Sequence, residues 1–241
     1  MFIRIAVIIP LAFLVAYGVF SWAESSYDRF KYASEESRTV RDLDPHHSED
    51  LDASALRSDI ILYAVIGAAF AAFAGAACHG TAGVVGRIIG LVVGGMLGAA
   101  AGAGSGYLGH AIDRAILFPN DPMVYWFGRW AAILLPIGLA AGVGAAASGK
   151  AFAKDLAEGL VGAFLGVAIA TIIYCLSSGA VTEIESHEWI YPAFPSNRIL
   201  ILGLASVSIS TMIAFRLAAS TKAQNARESV DEKASEAVTE A

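Results

Sequence analysis

The chain predicts an all-α integral membrane protein, with about six transmembrane helices in a Gly/Ala-rich bundle, two of whose hairpins resemble each other. Three observations carry that prediction. Hydrophobic residues make up 56% of the 241 and the mean hydropathy is +0.61. Only 16% of residues are charged, against about a quarter in a soluble domain. The apolar residues also fall in blocks long enough to cross about 30 Å of hydrocarbon at about 1.5 Å per residue. The compartment expected from these features is a bacterial inner membrane or a plasma membrane. The net charge of −6 belongs to the wet segments and leaves no basic footprint for nucleic acid. Cys78 and Cys175 lie inside apolar runs, which argues against a disulfide framework.

Residues 1–22 hold the first apolar run, "IAVIIPLAFLVAYGVFSW", behind the single cation Arg4. It reads as a first transmembrane helix or, given the "SWA" before Glu24, as a signal peptide. Pro10 costs little near the start of a helix, where its missing N–H falls among donors that lack an intrahelical partner. Residues 23–58 form a polar extramembrane segment with nine acids against five lysines or arginines, too small and polar for a core of its own. His46 and His47 stand beside Asp44, Glu49 and Asp50, but without the spacing of a structural metal site, and they read as a solvated loop. Residues 59–218 then make a five-helix membrane bundle, with apolar runs at 60–79, 84–109, 130–147, 156–177 and 199–218. The links "GTAG" and "SGKAFAKD" are short enough to force antiparallel helical hairpins. Residues 219–241 are rich in Ala, Glu, Ser and Lys, as in a disordered or frayed helical tail.

The two hairpins carry a trace of internal similarity. Sliding residues 64–104 by 69 positions brings Ala71, Gly75, Ala76, Gly80, Gly90 and Leu91, among others, onto identical residues. Most of these matches are Ala or Gly in segments dominated by both. Two spans per unit would make such a duplication parallel, so alternating-access transport by inverted repeats gains no special support. The cations near the span ends balance between the two sides. The basic start of the tail and the cation-bearing link at 148–155 favour cytoplasmic termini.

"GRIIGLVVGGMLGAAAGAGSG", residues 86–106, places Gly86, Gly90, Gly94, Gly98, Gly102 and Gly106 at every fourth position. Four residues turn the helix about 400°, so the row drifts about 40° per step along the i±4 ridge and cuts a shallow oblique groove. Lipid supplies no hydrophobic force between helices, and close backbone approach over small residues replaces it. The pattern resembles the glycine-zipper segments found in many unrelated membrane proteins. Over five steps the row turns about 200°, too far for one straight crossing helix. The expectation is therefore two partner helices, one on Gly86–Gly94 and one on Gly98–Gly106, with this third helix at the centre of the bundle.

Ionisable residues in membrane spans are the default place to look for function. His110, Asp113 and Arg114 lie at the end of the third span, spaced to share one helical face. They form the candidate polar site, open to a proton or anion role or to an interfacial ion pair. Glu158 follows Lys154 by four residues, the spacing of a helical ion pair. Thr171, Tyr174, Cys175 and Ser178 form one polar stripe, and Tyr125, Trp126 and Trp130 read as an interfacial aromatic belt. No HExxH, zinc-spaced cysteine set, nucleotide loop or Ser-His-Asp set emerges. The reading is thus a non-enzymatic multipass membrane protein without cofactor, a scaffold or interaction protein. Its surroundings are the lipid bilayer and its partner class a second copy or another membrane protein. The alternative is a small solute transporter or channel.

Overall fold

The computed structural model describes residues 2–26, 45–115, 122–181 and 195–239. All six of its elements are helices: α1 (Phe2–Ser26), α2 (Pro45–Ala77), α3 (Val84–Ala115), α4 (Pro122–Ala147), α5 (Phe152–Val181) and α6 (Pro195–Thr239). Each contains a stretch long and apolar enough to span a bilayer, from Ile3–Trp22 in α1 to Leu200–Ala226 in α6. Among the described residues the protein is accordingly all-helical, with six helices fit for an integral membrane protein. α2 starts well before its apolar stretch, so the last third of the segment read as extramembrane is helix continuous with the second span. Residues 27–44 lie outside the described residues, as do the side chains of His46 and His47. The tail continues α6 without a break as far as Thr239.

Helix ends follow from local chemistry. Gly83 opens α3 with the Arg87 N–H on its carbonyl at 3.0 Å, and Ala151 opens α5 by accepting from Asp155 N–H at 2.9 Å. Asp155 sits in the first turn of α5, where a carboxylate complements the positive end of the helix dipole. Ser148 closes α4 by turning its hydroxyl back onto the Ala145 carbonyl at 2.7 Å.

α4 is the helix at the centre. It packs against α2, α3 and α5 and touches α6, while α1 lies on α6 and α2. Of the apolar window of α4, 61% is buried, against 17% for α3. The expectation of a central third helix is overturned, and the reason is legible in the composition of α3. The six glycines of the row occupy one face, and the other presents Val85, Ile89, Val92 and Met96 outward, large apolar side chains that lipid solvates well.

The glycine row has two partners, but not the division expected. α2 follows the row from Gly90 to Gly106, and each four-residue step forward in α3 is met by four residues back in α2. Gly90 lies on Gly75, Gly94 on Ala71, Gly98 on Gly67, Gly102 on Tyr63 and Gly106 on Asp59. At each of these positions the atom a methyl group would strike first is a backbone carbonyl oxygen of α2. α4 joins at the early end only, where Ser148 meets Gly86 and Gly90, and Gly144 meets Gly94. The straight-helix argument failed because α2 tracks the drifting row instead of crossing it once.

The remaining neighbours repeat the stepping. Gly142 of α4 lies against Gly159 of α5, with an added methyl on either reaching the other's carbonyl oxygen at 2.6 Å. Gly162 and Gly166 of α5 lie against Ile213 and Ile209 of α6. α1 is tied to α6 by the Ser206 hydroxyl, which donates to the Ala12 carbonyl at 2.7 Å, and by Phe13 over Gly203.

Candidate functional site

Two polar clusters stand at opposite ends of the bundle. The first is built where the α2–α3 and α4–α5 links come together. His79, just past the end of α2, and Asp155, in the first turn of α5, meet with Nε2 to Oδ2 at 3.0 Å, both side chains more than nine-tenths buried. A carboxylate only accepts, so Nε2 carries a proton. In the neutral ring Nδ1 then accepts from the Thr81 hydroxyl, 3.3 Å away. Gly149 makes the closure possible: any side chain there would strike the His79 ring and the Asp155 carboxylate. Neither hairpin alone holds this pair, since His79 closes one and Asp155 opens the second arm of the other.

Cations surround the pair. Arg4 of α1 donates to the Cys78 carbonyl and lies across Gly80, which has no side chain to displace it. Arg87 of α3 donates to the carbonyls of Ala76 at 2.8 Å and Ala82 at 3.2 Å. The Ala76 and Cys78 carbonyls lie at or just beyond the end of α2, where cations are favoured by the helix dipole. Cys78 itself turns its thiol to the Ser210 carbonyl of α6 at 3.4 Å. The expected Lys154–Glu158 pair is replaced by links to α6. Glu158 meets Arg216 at 2.6 Å, and Lys154 donates to Ser220 O and Gln224 Oε1 at 3.4 and 3.5 Å. An interhelical partner of fixed geometry outcompetes an i,i+4 pair worth a few tenths of a kcal/mol.

The second cluster lies at the far end. His110 of α3 faces Asp59 of α2, Nδ1 to Oδ2 at 3.8 Å, a distance for electrostatic attraction and too long for a direct hydrogen bond. Gly106 brings the two helices together there. The side chains of Asp113 and Arg114, the other members of the sequence-read site, lie outside the described residues. Asp59 and Arg129 are buried. The Arg129 guanidinium stands 5.7 Å from the centroid of the Trp130 ring, within cation–π range.

Trp130 is fully buried and meets Tyr174 edge to face, with centroids 5.7 Å apart. Its assignment to an interfacial belt is therefore wrong. It lines the α4–α5 interface, and the stripe of Thr171, Tyr174 and Cys175 is the α5 side of the bundle interior. Thr171 spends its hydroxyl on its own helix, at 2.8 Å from the Val167 carbonyl. Trp126 and Ser178 lie outside the described side chains.

Sequence reasoning missed the His79–Asp155 pair: His79 stood as the last residue of the run 60–79 and Asp155 as the last residue of the link 148–155. One signal was available: the two short links had to lie at the same end of the bundle, and one was preceded directly by a His while the other ended on an Asp. Among the described residues, no group of three or more His, Cys, Asp or Glu is arranged to hold a metal. No family model, no curated protein and no solved structure matches the chain.

Proposed function

We propose that the chain is a non-enzymatic multipass membrane protein whose role is that of a scaffold or interaction module, held together by glycine-zipper packing. The observation that carries this reading is that the polar groups at the hairpin-turn end are engaged with one another across helices. His79 holds Asp155, Arg216 holds Glu158, and Arg4 and Arg87 hold the end of α2. Such ties, with the backbone-to-backbone register of α2 and α3, favour one fixed arrangement, as a platform needs. A second reading, a small transporter or channel, draws support from Asp59 and Arg129, buried ionisable groups near span ends. Solute flux separates the two. Purified full-length protein in liposomes is expected to leave ion and small-solute leakage at the protein-free level. Saturable flux that falls on Asp59→Asn would refute the scaffold reading and establish the second.

A further inference from the structure

We propose that the end of the bundle formed by the α2–α3 and α4–α5 links is a docking surface for the headgroups of anionic phospholipids. Six cations ring this end: Arg4, Arg87, Lys150, Lys154, Arg216 and Lys222. Two acids stand among them in the described side chains, and both are engaged, Asp155 with His79 and Glu158 with Arg216. Among the described side chains the surface therefore keeps an excess of positive charge. Arg87, Lys150, Lys154 and Lys222 are exposed.

Position and geometry select the occupant. α2 leaves its apolar stretch at Ala77, α3 enters at Val84, α4 leaves at Ala147 and α5 enters at Phe152. Arg87, Lys150 and Lys154 lie within three residues of those limits, which is headgroup depth. Arg4 and Arg87 are held in place by the terminal carbonyls of α2. Each guanidinium has five N–H donors, so each keeps donors beyond those spent on carbonyls, in the planar fork that suits a phosphate. Lys150, on the exposed link, and Lys222, on α6, extend the same positive surface. Juxtamembrane cations of this kind are attracted to an anionic leaflet. This end accordingly faces the cytoplasm under the positive-inside rule.

Thermal unfolding of the full chain in mixed micelles tests the proposal, because a ligand that binds only the folded state raises Tm. Added phosphatidylglycerol is expected to raise Tm by several degrees, and added phosphatidylcholine to leave it unchanged. The Lys150→Gln/Lys222→Gln variant alters only exposed side chains and should lose half or more of the gain. Salt at about 1 M, where the screening length is about 3 Å, should remove most of it. Equal gains with the two lipids would overturn the proposal, as would a full gain in the double variant. So would the same gain from inorganic phosphate without lipid, which would make the site one for a free anion. If the double variant fails to fold, the comparison of the two lipids on the unaltered chain still decides.

Discussion

Replacing Gly102 with alanine adds one methyl group and should destabilise the protein, although helix propensity and hydropathy both predict a gain. The size of the effect can be worked from Gly106, the more open position one turn along. A methyl there would lie 2.6 Å from the Asp59 carbonyl oxygen and 2.9 Å from the Ile60 Cα, where ordinary contact begins at 3.4 Å. These are backbone atoms, so no rotamer change relieves the clash, and α2 and α3 must part by about 0.8 Å. A gap of about 0.5–1 Å forfeits a quarter to a half of each dispersion contact across it. Gly102 meets the Tyr63 carbonyl more closely still. Overpacking of a tight core costs about 1–3 kcal/mol, against at most about 1 kcal/mol gained from alanine's helix propensity. The net expectation is a loss of about 1–2 kcal/mol. Gly104, two residues away on the same helix, has nothing within 4 Å of an added methyl, so Gly104→Ala should be neutral or stabilising. Reversible unfolding in mixed micelles, followed by tryptophan fluorescence, measures both. If Gly102→Ala proves as stable as Gly104→Ala, the α2–α3 interface is not set by backbone contact and the reasoning fails.

The polar ties give contrasting expectations. His79→Ala leaves the Asp155 carboxylate buried without its partner and should cost about 1.5–3 kcal/mol. Together with Asp155→Asn it should show a coupling of about 1 kcal/mol or more in a double-mutant cycle, whereas simple additivity would mean that the pair does not interact. Glu158→Gln should cost less than about 1 kcal/mol by the same assay, because both members of that pair are partly exposed. A loss as large as that of His79→Ala would contradict this ranking. For topology, single cysteines in place of His46 and Asn225, in a chain whose two native cysteines are serine, should react with impermeant reagents from opposite sides of the membrane. Labelling of both from one side would refute the six-span arrangement.

The helices were legible because hydrocarbon imposes a length and an apolar composition on every span, and neither depends on which helix is neighbour to which. The hairpin from α2 to α3 was legible for the same reason, since a link of four residues, Gly80 to Gly83, leaves the chain nowhere else to go. What could not be read was any fact that depends on which helices meet. Trp130 beside Tyr125 has the composition of an interfacial belt, and only the position of α4 against Tyr174 sends it inward. Glu158 stands at helical spacing from Lys154, but Arg216 on another helix claims it. His79 and Asp155 are separated by 76 residues, and no period in the sequence relates them.

The glycine row shows where periodicity stops being informative. A spacing of four gave the α3 half of an interface. The α2 half has only two glycines, Gly67 and Gly75, and fills the same register with Ala71, Tyr63 and Asp59. Backbone of α2 makes the nearest approach at every step from Gly90 to Gly106, with the small Ala71 methyl beside Gly98, so residues of any size suffice at most positions on that side if their side chains point elsewhere, as the buried phenol of Tyr63 does. One glycine-rich helix therefore relaxes the sequence requirement on its partner, and a search for matching small residues underestimates how far the contact runs. The same asymmetry explains why α3 lies at the edge of the bundle. A helix whose small residues form a single i±4 row can seat one neighbour along its whole length, whereas a central helix needs several interfaces. α4 has them, with Gly144 and Ser148 toward α3, Gly142 toward α5, and Trp130, Ile133 and Ile137 filling the interior. The helix best at close approach is for that reason not the helix best at being surrounded.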